Sequence, residues 1–336
     1  LNSFGRIFRV HIFGESHGES VGIVIDGCPA GLSLTVEDLL PDLERRKGGK
    51  QKGTTPRQEA DYPFFKSGLF NNKTTGAPIT IIFENNNIRS SDYEKQRSIP
   101  RPGHADWVAH QKYGGNEDYR GGGHFSARLT TGLVAAGAIA KKIMGTGVSI
   151  ISAVTEIGGE SDLEKGLQKA IDAKDSVGGI VECRVNGLSV GLGEPFFDSV
   201  ESQLAHIAFA IPAVKGVEFG SGFAAARMFG SQHNDAIENM EGKTRTNHAG
   251  GIVGGITNGN ELVFRIAIKP TASTPKEQNS LNWESGKVET FSIKGRHDLC
   301  VALRAPVILE AATAVALVDL FLLEQHSNRI INQGKH

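Results

Sequence analysis

VGIVIDGCPAGL at residues 21–32 and VGGIVECRVNGL at residues 177–188 share one plan: a short apolar strand, a turn, then Gly-Leu. The recurrence implies two related halves with internal pseudo-symmetry. Its period is far too long for a solenoid of short repeats. Further strand-like runs lie at 77–83, 148–154, 179–185 and 261–268. Helix-like runs cover 35–44, 126–144, 162–173, 199–209 and 306–326. Thr35 and Asp38 resemble a capping pair, and Leu129, Leu133, Ala136, Ala140 and Ile143 recur at helical spacing. No Pro/Ser-rich linker divides the 336 residues, so 1–336 reads as a single domain. The apolar run at 305–325 is about long enough to span a bilayer. Glu310, Asp319 and Glu324 interrupt it, which favours a buried core helix.

Composition narrows the function classes. A formal net charge of -1 gives no global signal for nucleic acid or an anionic membrane. Cys28, Cys183 and Cys300 are widely spaced, with no metal-ligand pattern, and suit a reducing cytoplasm. The 42 glycines are about an eighth of the chain, against a norm of about 7%. They sit beside polar residues, as expected where backbone closes on a ligand. No GxxxxGK[ST], no GxGxxG between strand and helix, no HExxH and no GxSxG is present, so a flavin or nucleotide would not sit on a Rossmann fold.

Several segments carry chemistry. His17 lies in GESHG (14–18), where glycines and a serine imply a loop; His11 belongs to the preceding strand. His104 projects from the Pro-Gly turn of RPGHAD (101–106). The run RGGGHFSAR (120–128) leads into a helix with Ser126 as a possible cap, a place where backbone N–H groups attract anions. Arg45, Arg46, Lys47, Lys50, Lys52 and Arg57 form a basic stretch that reads either as a solvated loop or as a trap for a polyanionic small molecule. NHAGG (247–251), KPTAS (269–273) and GRHD (295–298) add polar groups beside glycines or at strand ends.

Taken in order, GESHG, RPGHAD, SAR (126–128), NHAGG, KPTAS and GRHD resemble the chorismate synthase family nearly end to end. The resemblance implies an α+β fold, a β-α-β sandwich of antiparallel sheets around a helical layer, usually as a homotetramer in the cytoplasm. It implies a lyase of the shikimate pathway for aromatic amino acids. The substrate would be 5-enolpyruvylshikimate 3-phosphate, losing phosphate and a C6 hydrogen by 1,4-elimination to give chorismate. Reduced FMN (FMNH2) would be required but not consumed, kept reduced by an external flavin reductase or reductant. A self-reducing enzyme would need an NADPH site, and no nicotinamide fingerprint is visible.

By the same resemblance His17 protonates the leaving phosphate, His104 acts at the flavin N1 side, and Asp298 works with flavin N5 in removing the C6 proton. The flavin contacts would be His124, Phe125 and Ser126, Pro212 and Ala213, Gly254, the run Lys269, Pro270, Thr271, Ala272 and Ser273, and Arg296. Arg45, Arg46, Lys52 and Arg128 would hold the substrate's anionic groups. The chain departs from the family pattern in places. GRSSARET becomes GHFSARLT (123–130), placing His124, Phe125 and Leu129 where arginine, serine and glutamate are usual. RHDPC becomes RHDLC with Leu299, and Lys52 stands where an arginine is common. These changes bear on ligand contacts; His17, His104 and Asp298 are intact.

Overall fold

The structure, a computed structural model, describes residues 1–49, 52–55, 59–86, 97–293 and 297–326. Two antiparallel sheets enclose a layer of helices. The first sheet contains β1 (Ser3–Phe4), β2 (Arg9–Gly14), β3 (Ser20–Asp26), β4 (Phe64–Ser67) and β5 (Ile79–Glu84), in the order β1-β2-β3-β5-β4. The second contains β6 (Ser149–Ile157), β7 (Gly179–Asn186), β8 (Val214–Phe219) and β9 (Leu262–Ile268), in the order β8-β9-β7-β6. Between them lie α1 (Leu40–Arg46), α3 (Thr130–Met144), α5 (Val200–Ala210) and α6 (Ala305–His326), while α2 (Asp106–Tyr113) and α4 (Leu163–Ala173) lie elsewhere in the chain. The expected β-α-β sandwich is the observed one.

The sheets follow period-2 patterning. Ile79, Ile81 and Phe83 of β5 are buried, as are Val181, Cys183 and Val185 of β7, while their neighbours are less so. Each fully buried Val, Ile or Phe contributes about 1.5–3 kcal/mol of hydrophobic stabilisation. α6 is buried almost along its whole length, so its apolar composition belongs to a core helix. It packs on α3 so closely that a Cβ on Gly137 would stand 2.3 Å from the Ala311 Cα.

The two halves repeat, in a register four residues from the one read off the sequence. Asp26-Gly27 ends β3 and Asn186-Gly187 ends β7; short 3-10 turns follow at Val36–Asp38 and Phe196–Asp198, then α1 and α5 start at Leu40 and Val200. From the end of β3 to the start of α1, structurally equivalent residues are therefore 160 positions apart; the spacing differs for the other strands, but β2-β3-β5-β4 matches β6-β7-β9-β8 in order. Gly27 and Gly187 have φ of +75° and +84°, and a Cβ would lie 1.8 Å from the Ile7 carbonyl oxygen or 1.9 Å from that of Gly147. The same tight turn therefore needs glycine twice. A shift of four preserves strand parity, so the sequence match had the correct faces pointing inward.

Helix starts differ from expectation in two places. Leu39, with φ -94° and ψ -29°, separates a 3-10 turn from α1, so the expected helix at 35–44 is two pieces. The Asp38 carboxylate still reaches back to the Thr35 N–H at 2.8 Å. Ser126 caps a 3-10 turn, accepting from the Arg128 N–H at 3.2 Å, and the α-helix begins only at Thr130. Near the site, the hairpin Gln278–Asn282/Lys287–Phe291 ties onto the segment before RPGHAD. Ser280 Oγ donates to the Pro100 carbonyl at 2.6 Å, and Trp283 N–H to that of Ser98 at 3.0 Å.

Candidate active site

A cavity of about 770 Å³ opens beside the glycine run, within the usual size range for a small-molecule site. Its lining includes seven Lys or Arg residues against three carboxylates, so its field favours an anionic guest. His17, His104 and Asp298 all reach it.

The glycines of 121–123 are what let the two histidines approach. Gly121 has φ +59°, and a Cβ there would stand 2.1 Å from His17 Cε1. On Gly122, φ +84°, a Cβ would lie 3.1 Å from His104 Cε1. On Gly123, φ +51°, it would collide with the Asp118 carbonyl oxygen at 2.0 Å. The two imidazoles thus pack against consecutive glycines. The His17 loop is held by Asn85, whose amide donates to the Glu15 and Gly18 carbonyls at 3.0 and 2.9 Å, and by the Ser16 N–H donating to Gly123 O at 3.1 Å.

Asn85 also accepts from Arg128 Nε at 2.9 Å, which couples that loop to a buried cationic cluster. Asp61 accepts from Arg128 through one oxygen and from Arg46 Nη1 at 3.1 Å through the other. Arg46 further donates to Thr130 Oγ1 and to the Ala127 carbonyl. One carboxylate thus answers two guanidiniums, leaving an excess positive charge at the cavity wall. Burial pushes Arg46 down to about 9, against the opposing pull of Asp61; it stays charged at neutral pH.

Asp298 accepts from the Thr55 N–H at 2.8 Å and from Arg304 Nη1 at 3.1 Å. Beside it His297 is held below its ordinary value, first by burial and then by Arg101. His104 Nδ1 lies 2.6 Å from Asp106 Oδ1. Asp106 is gripped by Arg101, whose Nε and Nη2 each donate at 2.7 Å and whose backbone N–H donates at 3.0 Å. Burial would raise the Asp106 carboxyl, but the hydrogen bonds from Arg101 and His104 outweigh it and hold the group well below the usual carboxylate range. Arg101 Nη1 also donates to Ser273 Oγ at 3.2 Å, binding this loop to the KPTAS run.

Of the residues expected at a ligand, Arg46, His124, Phe125, Ser126 and Arg128 line the cavity, as do Pro212, Ala213 and Lys269, Pro270, Thr271, Ala272 and Ser273. Lys269 is held below its ordinary value by burial and by Lys215. The structure does not bring Arg45, Lys52 or Gly254 there. Arg45 turns to Glu310 of α6, a carboxylate that is 2% exposed and takes both guanidinium ends at 2.7 Å, so core charge balance claims this arginine. Lys52 is exposed and donates to Gln168. Gly254 sits in the turn between Ile252–Val253 and Ile256–Thr257, away from the cavity. NHAGG instead braces the second sheet, with the Asn247 amide donating to the Glu261 carbonyl at 2.8 Å. Arg296, Lys50 and Arg57 lie outside the described residues.

The departures have local explanations. His124 places its ring nitrogens 2.8 Å from the Gly14 carbonyl and 3.1 Å from Asn2 Oδ1. Leu129 is a core residue. Leu299 donates its N–H to the Gly53 carbonyl at 2.9 Å, a bond a proline there could not make. Sequence reasoning missed Asp61, which no motif marks, and passed over Arg101, Asp106 and His297 inside quoted motifs.

The chain matches the family model described as chorismate synthase over residues 8–322. The chorismate synthase of Chitinophaga pinensis is 71% identical over 330 residues, covering 98% of this chain and 99% of that protein. That of Dehalococcoides mccartyi is 45% identical, covering 99% and 100%. A crystal structure of chorismate synthase aligns with a TM-score of 0.72 at 27% identity, over 96% of this chain and 93% of that one. The chain belongs to the chorismate synthase family.

Proposed function

We propose that the cavity binds 5-enolpyruvylshikimate 3-phosphate together with reduced FMN, and that His17, His104 and Asp298 carry the proton transfers. The chain is a carbon–oxygen lyase of the shikimate pathway, forming chorismate by loss of phosphate and a C6 hydrogen. The observation that carries the site reading is the convergence of two imidazoles, a carboxylate and an excess of cations on one cavity.

The lining suits a flavin mononucleotide: Lys269 and the cavity's other cations for a phosphate, hydroxyls at Thr271 and Ser273, and apolar side chains of Leu133, Ile293 and Phe125 for a ring system. Reduced FMN, when bound, supplies electron density that eases departure of phosphate. The chain's own groups do the rest. Arg46 and Arg128, locked by Asp61, offer preorganised positive charge to the substrate's anionic groups. His17 donates a proton to the leaving phosphate, a step worth typically about 10²–10⁴-fold. Arg304 and the Thr55 N–H hold Asp298, which would work with flavin N5 in removing the C6 proton, and His104 would serve the flavin's N1 side.

We read the protein as cytoplasmic, as a single domain with one continuous core, and as a homotetramer. Exposed Phe196, Phe197, Phe223, Phe229 and Met240 support an assembly that covers them, and such an assembly would let Gly254 serve a neighbouring copy's cavity. An external reductant keeps the flavin reduced. The test is an anaerobic assay with purified protein, chemically reduced FMN and 5-enolpyruvylshikimate 3-phosphate. Equal catalytic release of chorismate and phosphate is expected, and NADPH with oxidised FMN alone should give none. Folded protein that yields neither product with reduced FMN refutes the assignment.

A further inference from the structure

We propose that Asp106 is the positioning residue for His104, fixing the proton on Nδ1 so that Nε2 is the nitrogen offered to the cavity. The inference rests on the reading of His104 given above and adds the residue through which it works.

The contact distances at Nδ1 decide the tautomer. Nδ1 lies 2.6 Å from Asp106 Oδ1 and 3.0 Å from Arg101 Nη2. A carboxylate oxygen can only accept, so a bare Nδ1 lone pair at 2.6 Å would face a negative oxygen. Arg101 Nη2 carries two N–H groups, one of which donates to that same oxygen at 2.7 Å, and of the two contacts made by Nδ1 the one to the carboxylate is the shorter. Nδ1 therefore carries the hydrogen. The carboxylate cannot turn away, because Arg101 holds both its oxygens through three N–H groups. On its Cε1 edge the ring leaves Gly122 no room for a side chain, since a Cβ there would stand 3.1 Å from Cε1. Arg101 is itself buried and anchored to Ser273. The outcome is a carboxylate–imidazole dyad whose Nε2 has no hydrogen-bond partner among the described residues, the arrangement that fixes imidazole orientation in hydrolase triads.

The Asp106→Asn variant tests this through a clear preference. An asparagine NH₂ at the Oδ2 position would oppose two Arg101 donors, Nε and the backbone N–H. At the Oδ1 position it opposes one, Nη2, and can donate to Nδ1. The variant should therefore swing its NH₂ toward His104 and move the ring's hydrogen to Nε2.

The experiment combines two-bond ¹H–¹⁵N spectra of the histidines, assigned with H104Q, and steady-state kinetics with reduced FMN. Expected are an Nδ1–H pattern for His104 in the unaltered protein and an Nε2–H pattern in D106N. Turnover should fall about 10²–10⁴-fold while substrate KM and oxidised-FMN affinity stay within a few-fold. D106E, which keeps the carboxylate, should restore the Nδ1–H pattern and part of the rate. An Nε2–H pattern in the unaltered protein overturns the proposal without any variant. So does D106N that keeps the Nδ1–H pattern and its turnover. A switched tautomer with undiminished turnover overturns the catalytic sense of the proposal, and H104A then also retaining its rate traces the failure to His104's role rather than to Asp106.

Discussion

Gly121→Ala is the sharpest probe of the site. The new methyl would stand 2.1 Å from His17 Cε1 and 2.2 Å from Nδ1. Carbon atoms settle at about 3.5–4.0 Å, so the imidazole must retreat by about 1.4 Å or more. His17 is 4% exposed, so the retreat meets packed atoms. A displacement of about 1 Å in a reacting group can cost about 10²-fold in rate, and turnover should fall at least that far. Stability falls too: the left-handed backbone at φ +59° costs a non-glycine residue about 1–2 kcal/mol, and overpacking adds about 1–3 kcal/mol. Gly286→Ala separates these effects, because Gly286 has φ +68° and nothing within 4 Å of its would-be Cβ. It should show the backbone cost alone and keep its turnover. The assay is chorismate formation with chemically reduced FMN, alongside urea unfolding. Folded G121A with turnover within twofold of the unaltered protein refutes the packing argument.

Asp61→Asn leaves Arg46 and Arg128 buried without their shared counter-charge; a loss of about 3–5 kcal/mol is expected, read by urea unfolding, and an unchanged midpoint would contradict it. His297 is depressed by burial, so as pH falls below about 6.5 the unfolded chain takes up a proton before the folded one does, and stability declines. H297Q should flatten that slope between about pH 7.5 and 5.5, and identical slopes would count against the sign. Gly137→Ala puts a methyl 2.3 Å from the Ala311 Cα, so about 1–3 kcal/mol should be lost; a melting temperature equal to the unaltered protein's would show that α3 and α6 can part without cost. Arg46→Ala should raise substrate KM more than it lowers kcat if Arg46 holds the ground state; an unchanged KM removes it from the binding site.

Much of this was legible in the sequence because local rules agreed with the global fold. Strands such as β5 and β7 alternate cleanly, and α6 is a long apolar helix whose three carboxylates favoured a buried core position over a membrane span. His17 and His104, proposed above as catalytic, stood out by their glycine-containing loops GESHG and RPGHAD, whereas the glycines 121–123 that admit them were read only as an anion-binding turn. Where the reading failed, the deciding contact was distant in sequence. Arg45 and Arg46 are adjacent, yet about 100° of helical rotation sends one to Glu310 of α6 and the other to Asp61. No local pattern says which neighbour faces the cavity. Asp61 carries no motif, and its left-handed φ of +49° is set by surroundings the sequence does not display. The internal repeat was visible but misaligned by four residues, because Gly-Leu occurs once in the first turn (31–32) and twice in the second (187–188 and 191–192), and the stronger letter match was not the spatial one.

Asp319, near the end of α6, accepts the backbone N–H groups of Arg6, Ile7 and Phe8 at 2.7–3.0 Å. One sheet's first strands are thus fastened by a helix some 313 residues further along the chain. Both sheets lean on the helical layer that α6 completes, so a nascent chain lacking residues 305–326 exposes apolar faces with nothing to close them. Final packing must wait until residues 305–326 have been made, and the strands that precede them spend that interval unprotected against association with other chains.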